Sequence, residues 1–218
     1  MIHFENISKS FVVNGRRRTV IRNLDFTLPS GKAVGLLGGN GAGKTTLLKI
    51  VSGAMKPDTG RIVSDGSVSW PVGLSGAFHP DLTGAQNVRF LARVYGVDTR
   101  GLEAFVRDFA ELGPHFFMPM RAYSSGMRSR VTFGAAMGIR FDTYLIDEVT
   151  AVGDASFRRK SRAVFRERVK NSGAVMVSHN MNELSRFCDS GVILHKGSLR
   201  YFEDINEAIA LHERRQNA

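Results

Sequence analysis

The octapeptide Gly38-Gly39-Asn40-Gly41-Ala42-Gly43-Lys44-Thr45 constrains this chain more than any other feature. It matches G-x-x-x-x-G-K-[ST] in full. It follows the apolar run Ala33-Val34-Gly35-Leu36-Leu37 and opens a segment of helical character from Lys44 to about Ser52, with Gly53 as the stop. The pattern suits a phosphate cradle between a buried parallel strand and a helix. Glycines let successive backbone N–H groups turn inward around phosphate oxygens, and the helix N-terminus adds favourable potential. Lys44 is then placed to reach the β/γ-phosphates, and the Thr45 hydroxyl to hold Mg²⁺. A glycine-rich turn without a ligand is the bland alternative. The complete motif in its strand-to-helix context sets it aside.

A second constellation follows downstream. Thr143-Tyr144-Leu145-Ile146 is a buried-strand run ending in Asp147-Glu148. An acid at the carboxyl end of such a strand stands beside the cradle, where Asp147 can hold Mg²⁺ through water. Glu148, next in line, is suited to orient and deprotonate an attacking water as general base.

The rest of the chain reads as α/β. Val20, Leu24, Phe26 and Leu28 alternate with polar residues as in a half-buried strand, and Arg61–Val63 and Ser67–Trp70 are strand-like. Thr83 and Gln86 have the spacing of a capping box opening a helix, and Leu102, Phe105, Val106, Phe109 and Leu112 form a second helical face. Helix is expected over Met127–Ile139 and over the basic stretch Ser156–Asn171, with strand at Ala174–Ser178 between that stretch and a hairpin turning at Lys196-Gly197. Asp204 and Glu207 suggest a capping box for a short last helix.

Length and composition fit this picture. With 218 residues, 43% apolar and 23% charged, the chain can bury one substantial core in one or two lobes, and disorder is not the default. The single cysteine, Cys188, excludes an intrachain disulfide. The start, MIHFENISKSF, lacks the basic and apolar regions of a secretory signal. No apolar run approaches the ~18–20 residues that span a bilayer. The net charge of +10 suits nucleic acid, an anionic membrane surface or an acidic substrate. Its excess sits at Arg16-Arg17-Arg18 and over Arg158–Lys170, where a solvated hairpin tip and a solvated helix face are the favoured explanation.

Taken with these motifs, Tyr123-Ser124-Ser125-Gly126-Met127-Arg128-Ser129-Arg130 resembles the LSGGQ signature of the ATP-binding subunits of ABC transporters. Ser124 and Gly126 match; Ser125 and Met127 depart. A helix N-cap at Ser124 or Ser125 fits the local sequence as well, so the order of P-loop, signature and acidic strand carries the resemblance, which covers nearly the whole chain. It implies an α/β P-loop NTPase of the ABC-ATPase fold, with a RecA-like core, an antiparallel β subdomain and a helical subdomain at about 83–138, all within a single domain over 1–218. It implies ATP as substrate with Mg²⁺, a second copy of the chain forming an ATP sandwich, and a polytopic membrane permease, at the cytoplasmic face of an inner membrane.

The resemblance also assigns roles. Gly38, Asn40, Gly41, Ala42, Gly43, Lys44, Thr45 and Thr46 hold the nucleotide, while Ser124, Ser125 and Gly126 face the ATP of the other subunit. Asp154 matches the D-loop aspartate and His179 the switch histidine after Val175-Met176-Val177-Ser178. Phe11 fits the aromatic that stacks on adenine and fits a packed strand residue equally. The glutamine that the family carries near Gly73 or Leu74 is missing; Gln86, the nearest one, has a local capping role. Trp70, the only tryptophan, is expected to end a strand at a lobe junction, where either coupling or core packing explains it.

Within the family, SWPVGLSGAFHPDLTG, YSSGMRSR and DEVTAVGDASF are most similar to exporters of capsular polysaccharide. Related O-antigen exporters often append a carbohydrate-binding domain of ~100 residues, and no such length follows His179. Export of O-antigen or teichoic acid is the nearest alternative. A nucleic-acid ABC ATPase ranks lower and no nucleic acid is expected, because 46–123 lacks sustained heptads and only one cassette is present. A P-loop kinase and a GTPase also rank low, the signature and His179 arguing against the first and the want of an N-K-x-D guanine motif against the second.

Overall fold

Asn14-Gly15 sets the first piece of architecture. Both have positive φ, 51° and 73°, as a two-residue hairpin turn requires, and Val13 pairs with Arg16 across it. The turn closes β1 (Ile2–Val13) onto β2 (Arg16–Leu28). The computed structural model describes residues 1–72, 78–147 and 155–216. These fall into two compact units: 1–71 with 141–148 and 169–218, and 72–140 with 149–168.

The first unit holds two sheets. After β2 come β3 (Ala33–Leu37), α1 (Lys44–Val51) and β4 (Thr59–Ser64), and β4 pairs with the free edge of β1 to give an antiparallel sheet ordered β2-β1-β4. The strand expected over 20–28 is present, but its inward set differs. Ile21, Leu24 and Leu28 are buried while Val20 and Phe26 are only half-buried. The β1–β2 register shifts between Phe4 and Ser10, a stretch that contains Asn6 (φ 49°), and a bulge moves side chains to the other face.

The second sheet is made of β5 (Thr143–Asp147), β6 (Gly173–Val177), β7 (Ser190–His195) and β8 (Ser198–Phe202) around β3, in the order β5-β6-β3-β7-β8. All but β8 run parallel, and β3 and β6 are buried along their whole length, which explains their continuous apolar runs. Residues Ile7, Ile21, Leu36, Leu47, Leu48, Leu145, Val177 and Val192 join in one core beneath the P-loop helix. Each side chain so buried contributes about 1.5–3 kcal/mol.

Ser67–Trp70 does not form the expected strand. Among the described residues it makes one parallel bridge, Val68 with Thr143. Ser69 Oγ accepts the Leu145 N–H at 2.9 Å, and Pro71 has no N–H to donate, so a side chain occupies the place of the next ladder bond. Trp70 is half-buried and packs edge-on against Phe141, ring centroids 5.6 Å apart, within this same unit.

The second unit is helical: α2 (Gly84–Val94), α3 (Thr99–Ala110), α4 (Ser125–Gly138) and α5 (Ala155–Val169). The Thr83 capping box is complete. Thr83 Oγ1 accepts the Gln86 N–H at 3.1 Å and Gln86 Oε1 accepts the Thr83 N–H at 2.9 Å. The faces of α3, α4 and α5 meet through Phe109, which stacks on Phe133 and meets Phe157 edge-on. Arg130 lies over the Phe157 ring, and Lys160 donates to the Asp108 and Phe109 carbonyls and to the Glu111 carboxylate, closing the C-terminal end of α3.

Two elements depart from the sequence reading. Helix α6 (Met181–Phe187) was not expected; it has seven residues and a single buried apolar one, Leu184, too little for a periodic signal. The last helix, α7 (Ile205–Gln216), starts without the reciprocal box: Asp204 accepts the N–H of Asn206.

On α7, His212 is 5% exposed. Burial lowers its pKa, and the charges of Lys44 and Arg215 push the same way against the opposing Glu213. The folded state therefore favours neutral imidazole. Stability is full above the ordinary histidine range and falls as pH drops through it toward the lowered value. The melting temperature should decline between about pH 7.5 and 5.5, and His212→Gln should flatten that decline; an unchanged slope in thermal melts would refute the assignment.

Candidate functional site

Strands β3, β5 and β6 run parallel in neighbouring or next-neighbouring positions, so their carboxyl ends lie along one edge of the sheet. β3 leads into the glycine loop, β5 ends at Asp147, and β6 ends at Val177 just before Ser178-His179. Pairing of Asp147 with Val177 fixes the acid's place relative to the histidine segment. Ligands of open parallel sheets bind outside this edge.

A cleft of about 380 Å³ opens there. Asn40, Gly41, Gly43, Lys44, Thr45 and Thr46 line it from the loop and helix α1, and Asp147 and His179 from the strand ends. The loop's shape depends on glycine. Gly41 and Gly43 have φ of 73° and 107°, and a Cβ on Gly43 would collide with Val20 Cγ1. The Ala42 N–H donates to the Gly39 carbonyl at 3.1 Å, tightening the turn. Lys44 Nζ donates to the carbonyls of Gly38 at 2.7 Å and Gly39 at 3.3 Å, which seats the ammonium inside the loop.

His179 is carried by a braced segment. Ser178 Oγ donates to Glu183 at 2.8 Å and accepts the Asn180 N–H, while Asn180 caps α6 through the Glu183 N–H. The antiparallel sheet supplies the last wall, with Phe11, Val13, Arg18 and Val20. Phe11 is half-buried, so its ring both packs on the strand and faces the cleft; Lys9 Nζ stands 5.8 Å from its centroid.

The remaining sequence-derived positions fall elsewhere. Gly38 contributes its carbonyl to Lys44, and Ala42 packs against the core of the first unit. Ser124, Ser125 and Gly126 open α4 in the second unit, where Ser124 Oγ accepts the Met127 N–H at 3.2 Å. Gln86 is held in the capping box and supplies no substitute for the absent glutamine. Glu148, Asp154 and the Gly73-Leu74 position lie outside the described residues. Arg18, Val13, Val20 and Val177 were missed. The Asn14-Gly15 turn could have revealed Arg18, because it pairs Phe11 with Arg18 across the hairpin.

The donor set fits a magnesium nucleotide. Backbone N–H groups, a lysine ammonium and a helix N-terminus suit polyphosphate, and the Thr45 hydroxyl and Asp147 carboxylate offer oxygen to a hard cation. Fold and site together define a P-loop nucleotide-binding protein.

Comparison with known proteins narrows the class. The ABC transporter family model matches residues 21–151. The polysialic acid transport ATP-binding protein KpsT of Escherichia coli is 46% identical over 96% of this chain and 95% of its own length. The capsule polysaccharide export ATP-binding protein CtrD of Neisseria meningitidis serogroup B is 41% identical over 95% and 96%. In fold, the chain resembles the ATP-binding cassette MJ0796 bound to ADP and Pi, with a TM-score of 0.78 over 93% of this chain and 98% of that one at 21% identity. The chain belongs to the ABC transporter family, as an ATP-binding, ATP-hydrolysing cassette.

Lys44→Ala removes the ammonium seated in the loop. The variant should lose the rise in melting temperature that ATP gives the wild type, while its own melting temperature without nucleotide stays within a few degrees. Wild-type ATPase activity in this variant would overturn the loop assignment.

Proposed function

We propose that this chain is the ATPase subunit of an exporter that moves capsular polysaccharide across an inner membrane. The observation that carries the reading is the single cleft gathering Lys44, Thr45, Asp147 and His179 at the sheet edge of a chain 40–46% identical, over nearly its full length, to polysialic acid and capsule export ATPases. The O-antigen export protein RfbB of Klebsiella pneumoniae is more distant, 36% identical over 84% of its own length. In this reading both compact units belong to one nucleotide-binding domain over 1–218, with its helical subdomain at about 83–138.

Phosphoryl transfer then runs as follows. The loop N–H groups and Lys44 hold the phosphates, and the γ-phosphorus faces the strand edge. Glu148 takes a proton from water as the water oxygen bonds to the γ-phosphorus. The bond to the β,γ-bridging oxygen breaks, and ADP and inorganic phosphate form. Thr45 and Asp147 would hold Mg²⁺, whose charge offsets that of the phosphate oxygens. His179 donates a hydrogen bond to the γ-phosphate and so registers its presence.

Two copies complete the site. Ser124–Gly126 of one copy, at the N-terminus of α4, supply hydroxyl and N–H donors to the phosphate held by the other. ATP closes the pair, and closure pulls on a polytopic permease that carries the polysaccharide. In this reading the chain itself is peripheral to the membrane; among the described residues no helix is long and apolar enough to cross one.

Glu148→Gln should bind ATP with near-normal affinity, lower turnover by at least about a hundredfold, and accumulate as a closed dimer in size-exclusion chromatography with ATP. Hydrolysis at the wild-type rate would show that Glu148 is not the base. For the cargo, deletion of the gene should abolish surface capsular polysaccharide, with wild-type but not Lys44→Ala protein restoring it. Loss of O-antigen or teichoic acid with intact capsule would move the assignment to that polymer.

A further inference from the structure

Arg18 faces the nucleotide cleft yet belongs to none of the motifs that identify the site. Its place follows from the hairpin register. β1 and β2 pair Phe11 with Arg18 and Val12 with Arg17, so Phe11 and Arg18 stand side by side on one face of the hairpin while Arg17 projects from the other. From there the guanidinium reaches the phosphate loop, where Nη2 donates to the Gly41 carbonyl at 3.4 Å.

That long bond uses one of five donors. Arg18 makes no ion pair among the described residues. The residue is exposed. Two basic side chains, Arg18 and Lys44, thus line a cavity where Asp147 is the carboxylate among the lining residues. The balance suits a polyanion.

The neighbours of Arg18 locate the part of the nucleotide it meets. Phe11 offers the cleft an aromatic ring suited to a stacked base, and Lys44 offers the phosphate loop's ammonium to the β/γ end. Arg18 is paired with Phe11 and touches Gly41, which places it between the two. We propose that Arg18 is a second cationic contact for the bound nucleotide, holding the phosphate nearest the ribose. The proposal rests on the reading of this cleft as the ATP site.

ATP and ADP share that phosphate. The contact therefore adds equally to the binding of both, lowers KM, and leaves recognition of the γ-phosphate to Lys44, His179 and the facing copy. A guanidinium suits the task because its planar fork can hold two phosphate oxygens at once.

Calorimetric titration of the full-length chain with ATP and with ADP, in magnesium buffer, tests this. Arg18→Ala should weaken both nucleotides by a similar factor of about tenfold, with its loss of activity residing in KM. Arg18→Lys should recover part of the affinity. Arg17→Ala, which removes the same charge from the opposite face, should bind both nucleotides like the wild type. Without nucleotide, Arg18→Ala and Arg17→Ala should melt together. Equal affinities for Arg18→Ala and Arg17→Ala would overturn the proposal. So would weakening of ATP alone, which would place Arg18 at the γ end. A much lower melting temperature for Arg18→Ala would instead make the residue a latch between hairpin and loop. A wild type that binds neither nucleotide would overturn the reading of the cleft, and the proposal with it.

Discussion

Val20 lies against the backbone of Gly43, and the nucleotide site depends on that approach. The space a Cβ would need at Gly43 is already filled by Val20 Cγ1, so the loop and β2 are fitted to each other. Because β2 is locked to β1 by the Asn14-Gly15 turn, the same approach carries Phe11, Val13 and Arg18 to the cleft. The phosphate loop is thus shaped from two directions. β3, buried between β6 and β7, aims it, and the antiparallel sheet limits how far it can collapse. A glycine-rich loop is intrinsically floppy, since glycine loses more freedom on ordering than any other residue. Steric support from a β-branched side chain is a direct way to offset that loss.

Much of this was legible in the sequence because its strongest signals are local. The G-x-x-x-x-G-K-[ST] stretch needs no tertiary information to be read, nor do the apolar runs Ala33–Leu37 and Thr143–Ile146 or the Thr83–Gln86 spacing, and the structure has strand, helix and cap there. What escaped depends on non-local geometry. Val20 alternates correctly with polar neighbours, yet Ile21 takes the core position because the β1–β2 register shifts. Ser67–Trp70 has strand-like residues, yet Ser69 spends its hydroxyl on the backbone of β5 and Pro71 ends the ladder. Helix α6 is too short to show a period. Arg18 looks like one more charge in a basic tip until the pairing places it opposite Phe11. The roles of Glu148 and Asp154 rest on sequence alone.

The net charge of +10 also changes meaning once side chains have partners. In the basic helix α5, Lys160 serves the carbonyl end of α3 and Glu111. Arg168 donates to the Met137 carbonyl at 2.7 Å. Both tie α5 to the helices beside it, and Arg130 adds a cation–π contact with Phe157 from α4. At the other basic cluster, Arg18 faces a phosphate-binding cleft. Part of the excess is therefore internal glue and part is directed at a small polyanion. Neither use requires a nucleic acid, which is why composition alone was a poor guide to the partner.

The capping box at Thr83 bears on the missing glutamine in a physical way. Gln86 is the glutamine closest in sequence to the Gly73-Leu74 position, and its side-chain oxygen is committed to the Thr83 N–H. Freeing it to serve elsewhere would unmake one half of the cap that starts α2, at the cost of one hydrogen bond, about 0.5–1.5 kcal/mol. Asn87, its neighbour, is equally engaged, accepting the His79 N–H and donating to the carbonyls of His79, Leu82 and Thr83. The polar side chains at the start of α2 thus hold the entrance of that helix together. Any contact that the family's glutamine makes is therefore either absent from this chain or supplied from outside this cap.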